Sequence, residues 1–231
     1  MKTGIVGAMD VEVAALKAKL ADAQVSTFAG MEFCEGTIGR MHAVVVKCGV
    51  GKVNAALCVQ ILADRFGVTQ LINTGVAGSL NNEIAIGDIV VSTDAVYHDV
   101  DAAVFGYQPG EVPQLGRLSF PADSALRELA ASSCRRAAPE IRVFEGRIAS
   151  GDQFISSRER KEWIREAFHA DCTEMEGAAI AQAAYLNRLP FVIIRAISDK
   201  ADESVAVSYE EFEGKAAEHC AKLVEHMLSE M

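Results

Sequence analysis

Short runs of apolar, β-branched residues alternate along this chain with stretches whose apolar residues recur every three or four positions. No other feature constrains the fold as much. "GIVGAM" (4–9), "HAVVVKC" (42–48) and "QLINTGVAG" (70–78) have the length and content of buried strands. "VEVAALKAKLAD" (11–22) and "VNAALCVQILADRF" (53–66) carry the spacing of amphipathic helices. Further on, "GDIVVSTDAVYH" (87–98), "IRVFEGRIASGD" (141–152) and "PFVIIRAIS" (190–198) read as strands. "ADSALRELAASSCRRA" (122–137), "RERKEWIREAF" (158–168) and "EGAAIAQAAYLN" (176–187) read as helices. A last helix is expected over 208–228, with Ser208 as its cap and Glu211 completing a capping box. Residues 106–121 hold three Gly and three of the chain's five Pro, which predicts a long irregular loop of the kind that often serves function. With no repeat, low-complexity tract or linker, the alternation predicts one three-layer α/β/α domain over residues 1–231. Ligands of such sheets bind outside the carboxyl ends of the strands, so polar residues there are the informative ones.

The chain has 231 residues, half of them hydrophobic, enough for a single core. Its net charge of −10 offers no basic patch and argues against nucleic-acid partners. "MKTGIVGAMD" has too short an apolar run for a signal peptide, and no run approaches the roughly 20 residues of a membrane span, so a cytoplasmic location is expected. The six cysteines are scattered without a C-x-x-C pair, as free thiols in a reducing compartment would be. The histidines lack zinc-ligand spacing, and "HDVD" (98–101) reads as a turn rather than a metal site, so no metal is expected.

Several glycine patterns fail on inspection. "CGVGKVNAA" has Gly51-Lys52 but Val46 and Val53 where a P-loop needs Gly and Ser or Thr. Gly49 and Gly51 are followed by Asn54 where a dinucleotide fingerprint needs its third Gly. "GVAGS" is not the G-x-S-x-G of a nucleophile elbow. "NTGVAGSL" (73–80) reads as a strand-to-loop turn, or as backbone that a ligand approaches closely. What remains is carboxylates at element ends: Glu12, Glu174, Glu176 and Asp199. In "CTEMEGAAIA" (172–181) the simplest role for two acids is to meet the positive end of a helix dipole, worth about 0.3–1 kcal/mol. Acids at pocket edges also suit proton transfer and stabilisation of a cationic transition state, as in glycoside cleavage.

In order along residues 4 to about 212 stand "GIVGAMDVEV", "GVGKVNAA", "NTGVAGSL", "GDIVVS", "YHDVD" with "FGY", "SGDQFI", "EMEGAAIA" and "RAISD". Together they resemble the 5′-methylthioadenosine/S-adenosylhomocysteine nucleosidases of the purine nucleoside phosphorylase superfamily. The resemblance implies a mixed central sheet, a homodimer, no cofactor, and hydrolysis of the bond between adenine and ribose. Its products would be adenine and either 5-methylthioribose or S-ribosylhomocysteine. By matching position, Asp199 would protonate the adenine ring, Glu12 would hold and activate the attacking water, and Glu176 would bind the ribose hydroxyls beside the Met175 backbone. Arg195 would sit near the water and ribose. Phe154 would stack on adenine, the Ile155 backbone would read its edge, and Ser198 would adjoin the base. Met9, Val50 and Tyr209 would line the 5′-alkylthio pocket. Ala103, Phe105 and Pro113 would reach the neighbouring subunit's pocket. Val76 stands where many relatives carry a Ser that could position the water. Glu174 is expected to support the helix end.

These roles suit the chemistry. An N-glycosidic bond breaks toward an oxocarbenium ion while electron density flows into adenine. An acid of raised pKa over the base, and carboxylates near the sugar, therefore lower the barrier. The alternatives are a phosphorylase, which needs cationic donors that Asp10 and Glu12 would oppose, an aminodeoxyfutalosine nucleosidase of the same superfamily, and a non-catalytic nucleoside-binding module, which would not need both Glu12 and Asp199.

Overall fold

The computed structural model describes the backbone of residues 1–231 and the side chains of all but residues 205–208, 210 and 211. The strands are β1 (Lys2–Gly7), β2 (Ala21–Phe28), β3 (Met31–Ile38), β4 (Met41–Lys47), β5 (Gln70–Ser79), β6 (Ile89–Tyr97), β7 (Ser119–Pro121), β8 (Val143–Ser150), β9 (Cys172–Glu174) and β10 (Phe191–Asp199). The helices are α1 (Asp10–Lys17), α2 (Lys52–Phe66), α3 (Ser124–Ala137), α4 (Arg158–Phe168), α5 (Gly177–Asn187) and α6 (Val205–Ser229).

All ten strands join one mixed sheet. β1 lies between β4 and β5 in parallel register, and β2 and β3 extend that wing as antiparallel strands. β5 is the hinge of the topology. It pairs with β1 over Gln70–Asn73, with β9 at Gly78 and Ser79, and with β10 along most of its length. Because β10 also pairs with β6, β6 with β8 and β8 with β9, the sheet closes on itself.

Side-chain alternation produces the layers. In β1, β4 and β5, Val6, Val44, Val46 and Leu71 face the core beneath α2 and α5, whereas Ile5, Ala43, Val45 and Ile72 face that beneath α1, α3 and α6. α4 covers a smaller cluster with Val96, Ala149 and Ile155. The small residues of α5 are almost all buried, so an alanine-rich sequence here marks a helix packed closely into the interior.

Several expected elements shift. The first helix ends at Lys17, and the residues after it turn into β2, which was not expected. β2 is an edge strand exposed along nearly its whole length, so burial imposes no apolar alternation on it. "NTGVAGS" is not a turn but the second half of β5, buried throughout. The Gly- and Pro-rich segment contains β7 and is preceded by a short 3-10 turn at Ala103–Phe105. The C-terminal helix starts at Val205, with Ser204 at the cap position rather than Ser208. The expected capping box falls outside the described side chains. Every cysteine is buried and free. No described helix is long and apolar enough to cross a membrane.

Candidate active site

The carboxyl ends of β5 and β10, the β1–α1 junction and the β9–α5 junction converge on a cleft of about 660 Å³ measured out to its mouth. Four carboxylates line it: Glu12, Glu174, Glu176 and Asp199.

Glu12 lies one turn into α1 and folds back onto its own helix start. Its Oε2 accepts the Ala8 and Met9 amides at 2.6 and 2.9 Å, and its Oε1 accepts the Val76 amide at 3.0 Å. Gly75 makes this possible, since a Cβ there would stand 2.4 Å from Glu12 Oε1. Burial raises the Glu12 pKa, and the Arg195 charge and the three amides only partly offset it. Val76 touches Glu12 through its backbone, so replacing a hydroxyl side chain at this position leaves that contact intact.

Asp199 ends β10, where the pairing with β5 shifts register between Ile197 and Asp199. This irregularity lets Ser198 and Asp199, neighbours that would alternate in a regular strand, both line the cleft. Asp199 lines the cleft and is only 3% exposed. Its Oδ1 accepts the Ala201 amide and its Oδ2 the Ser198 hydroxyl, each at 2.8 Å. Burial raises its pKa against those two hydrogen bonds. Gly78 leaves its space, for a Cβ there would lie 2.7 Å from Asp199 Oδ1.

The two acids of "CTEMEG" divide their labour. Glu174 ends β9, and its Oε2 accepts the Glu176 and Gly177 amides at 3.1 and 2.8 Å, capping α5. The same oxygen takes Arg195 at 2.6 Å, and Oε1 takes the Ser150 hydroxyl. Burial alone would raise the Glu174 pKa, but the Arg195 charge and these donors outweigh it and hold it below the ordinary range. Glu176 occupies the cap position of α5 without capping it. Its side chain turns into the cleft, where Oε1 accepts the Gly51 amide at 2.7 Å. Among the described residues, Oε2 has no hydrogen-bond partner. Burial first, then the charge of Glu174, raises the Glu176 pKa.

Arg195 does not line the cleft. It lies beneath it, 2% exposed, bound to Glu174 and to Asn73 Oδ1 at 2.5 Å. It serves the site through Glu174, not by contact. Asn73 and Ser150 belong to the same buried layer; they open the stretches "NTGVAGSL" and "SGDQFI", but nothing in those stretches assigns them a role.

The apolar wall is formed by Met9, Val50, Phe154, Ile155, Met175 and Tyr209. The Phe154 and Tyr209 rings meet edge-on with centroids 5.7 Å apart, and the Tyr209 hydroxyl reaches Met9 Sδ at 3.4 Å. Phe154 and Val50 remain 56% and 49% exposed, so this wall is open. Ala103, Phe105 and Pro113 are exposed and outside the chain's own cleft. No Lys or Arg lines the cleft, and no group of three or more His, Cys, Asp or Glu among the described residues could hold a metal ion.

The sequence profile of the Phosphorylase superfamily matches residues 2–229. A 5′-methylthioadenosine/S-adenosylhomocysteine nucleosidase from Geobacillus kaustophilus is 44% identical over 232 residues, covering all of this chain and 98% of its own. The chain belongs to this nucleosidase family. The crystal structure of the Neisseria meningitidis member, in complex with methylthio-immucillin-A, superposes with a TM-score of 0.96 at 37% identity, covering 100% of this chain and 99% of that one. A futalosine hydrolase from Helicobacter pylori superposes at 0.95 with 34% identity, covering 100% and 98%. The nucleosidase family thus accounts for the mixed α/β fold expected from sequence, and the protein is an N-glycosyl hydrolase of nucleosides.

Proposed function

We propose that the protein binds 5′-methylthioadenosine and S-adenosylhomocysteine in this cleft and hydrolyses each to adenine and the corresponding sugar, acting as a cytoplasmic homodimer. The observation that carries the catalytic reading is the distribution of charge: separate buried carboxylates at the ends of different elements, and no Lys or Arg among the described residues that line the cleft.

In the proposed reaction Asp199, whose pKa burial raises, gives its proton to the adenine ring as the glycosidic bond breaks. The electron pair of that bond leaves with the base, and the sugar carbon becomes cationic. Glu12 takes a proton from the attacking water, whose oxygen bonds to that carbon. Glu176, its Oε1 fixed by the Gly51 amide, hydrogen-bonds the ribose hydroxyls. Phe154 and Ile155 form the base slot. Met9, Val50 and Tyr209 take the 5′-alkylthio group, and Met175 and Ser198 complete the walls. Arg195 keeps Glu174 charged, so that Glu174 can cap α5 and hold Glu176 in place.

Phosphorolysis is disfavoured because an attacking phosphate would meet carboxylates and no Lys or Arg. The likeness to a futalosine hydrolase favours one second reading, in which the adenine-bearing futalosine analogue is also a substrate. Purified protein in phosphate-free buffer, given each nucleoside separately, should release free adenine. A requirement for phosphate, or formation of a sugar 1-phosphate, would overturn hydrolysis. Turnover of the futalosine analogue alone would shift the substrate.

A further inference from the structure

We infer that Asp152, held by Lys52 and Asp99, is a positioning residue that fixes the spacing between the base slot and the ribose-facing carboxylate Glu176. The inference rests on the nucleosidase reading of the cleft and extends it to three residues that do not line it. They come from three motifs, "GVGKV", "YHDVD" and "SGDQFI".

Asp99 Oδ2 accepts Lys52 Nζ at 2.6 Å and the Asp152 amide at 2.9 Å. Asp152 Oδ1 accepts the Lys52 amide at 2.9 Å, and its Oδ2 lies 3.7 Å from Lys52 Nζ. The three residues thus form a closed ring of contacts among three backbone segments. One residue before Lys52, the Gly51 amide holds Glu176 at 2.7 Å. Immediately after Asp152, residues Gln153, Phe154 and Ile155 line the cleft. A shift of the ring therefore moves the slot and the ribose clamp relative to each other.

The ring has reasons to be rigid. Gly51, at the cap position of α2, has no side chain to satisfy the first amides of that helix. Asp152 does so from a loop far along the chain, placing negative charge at the positive end of the dipole. Lys52 Nζ also sits 5.4 Å from the centre of the Tyr97 ring, whose hydroxyl donates to Gln182 of α5 at 2.7 Å. The ring is thereby braced against the helix that Glu176 precedes. The Asp99 side chain is 13% exposed, so water competes little for the Lys52 contact.

A nucleoside engages slot and clamp together, whereas free adenine engages the slot alone. Loss of the ring should weaken the first and spare the second. The experiment uses full-length Asp152→Ala, Lys52→Met and Lys52→Arg, measuring kcat and KM for methylthioadenosine and the inhibition constant of adenine. Asp152→Ala, which removes the acceptor of the Lys52 amide, and Lys52→Met should raise the nucleoside KM about tenfold or more, while adenine inhibition changes by less than about threefold. Lys52→Arg should restore most of the loss. In a Glu176→Gln background, Asp152→Ala should add under about threefold, because the clamp it positions no longer binds as before. Equal weakening of nucleoside and adenine, an unchanged KM, or full additivity with Glu176→Gln would overturn the inference. Should Asp152→Ala fail to fold by circular dichroism, Lys52→Met decides on the same criteria. A wild-type protein that releases no adenine would refute the nucleosidase reading itself, a different result from an active wild type with indifferent variants.

Discussion

On the proposed reading Asp199 carries two duties in one carboxylate, anchoring a turn and giving a proton, and they can be separated. Oδ1 accepts the Ala201 amide and Oδ2 the Ser198 hydroxyl. Replacement by Asn keeps an acceptor for the Ala201 amide and removes the transferable proton. Asp199→Asn should therefore lower kcat about 10²–10⁴-fold with a smaller effect on KM. Deprotonation of a general acid on raising the pH abolishes its function, so the alkaline decline of kcat/KM should vanish in this variant. Stability gives an independent sign. A buried acid of raised pKa holds more protons folded than unfolded, so the wild type loses stability as pH rises from the ordinary aspartate range through the folded value. Asn has no such window, and thermal melting at increasing pH should show the variant gaining relative to the wild type. Near-normal turnover in a folded Asp199→Asn protein would mean that Asp199 only caps the turn.

β5 explains at the level of the element why part of this site was legible and part was not. Its first half, "QLIN", reads as a buried strand from its apolar content alone. Its second half reads two ways, as the end of the strand "QLINTGVAG" and as the turn "NTGVAGSL", because glycine is rare in strands. The glycines are there because Glu12 and Asp199 press against the strand from either neighbouring element. That reason is visible only once β1, β5 and β10 lie side by side. Gly75→Ala tests it: the added methyl must displace Glu12, so turnover should fall at least about 100-fold, with a stability loss of about 1–3 kcal/mol from overpacking, read by kinetics and denaturant unfolding. A fully active Gly75→Ala would remove the packing explanation. The buried strands and most helices could be read from periodicity, whereas the polar edge strand β2 could not, since exposure on both faces erases its pattern. Glu12, Glu176 and Asp199 drew attention as acids at element ends. Glu174 drew attention in the same way, as support for the helix end, but its pairing with Arg195 and their contacts with Asn73 and Ser150 did not show, because those meetings depend on pairings between distant segments.

The whole molecule has an unfinished edge. Val104 and Phe105 are 87% and 81% exposed on the turn that follows Asp99. The Asp99–Lys52 contact ties the start of this segment to the first residue of α2, beside which Val50 and Val53 are 49% and 78% exposed. Apolar side chains this exposed are what an interface with a second copy would cover. The cleft itself wants covering, because Phe154 and Val50 leave its apolar wall in contact with water, and a desolvated site strengthens the electrostatics on which the proposed reaction depends. A homodimer in which each chain's Phe105 segment closes the partner's cleft meets both needs. Phe105→Asp places a charge in that interface without touching any residue of the chain's own cleft. It should fold with unchanged thermal stability when monomeric, sediment as a monomer at micromolar concentration, and show a KM raised about tenfold or more. The wild type should sediment as a dimer, and its specific activity should fall on dilution below the dimer dissociation constant. A wild type that is monomeric at assay concentration and fully active would remove the partner from the site, leaving the exposed Phe105 without a role in catalysis.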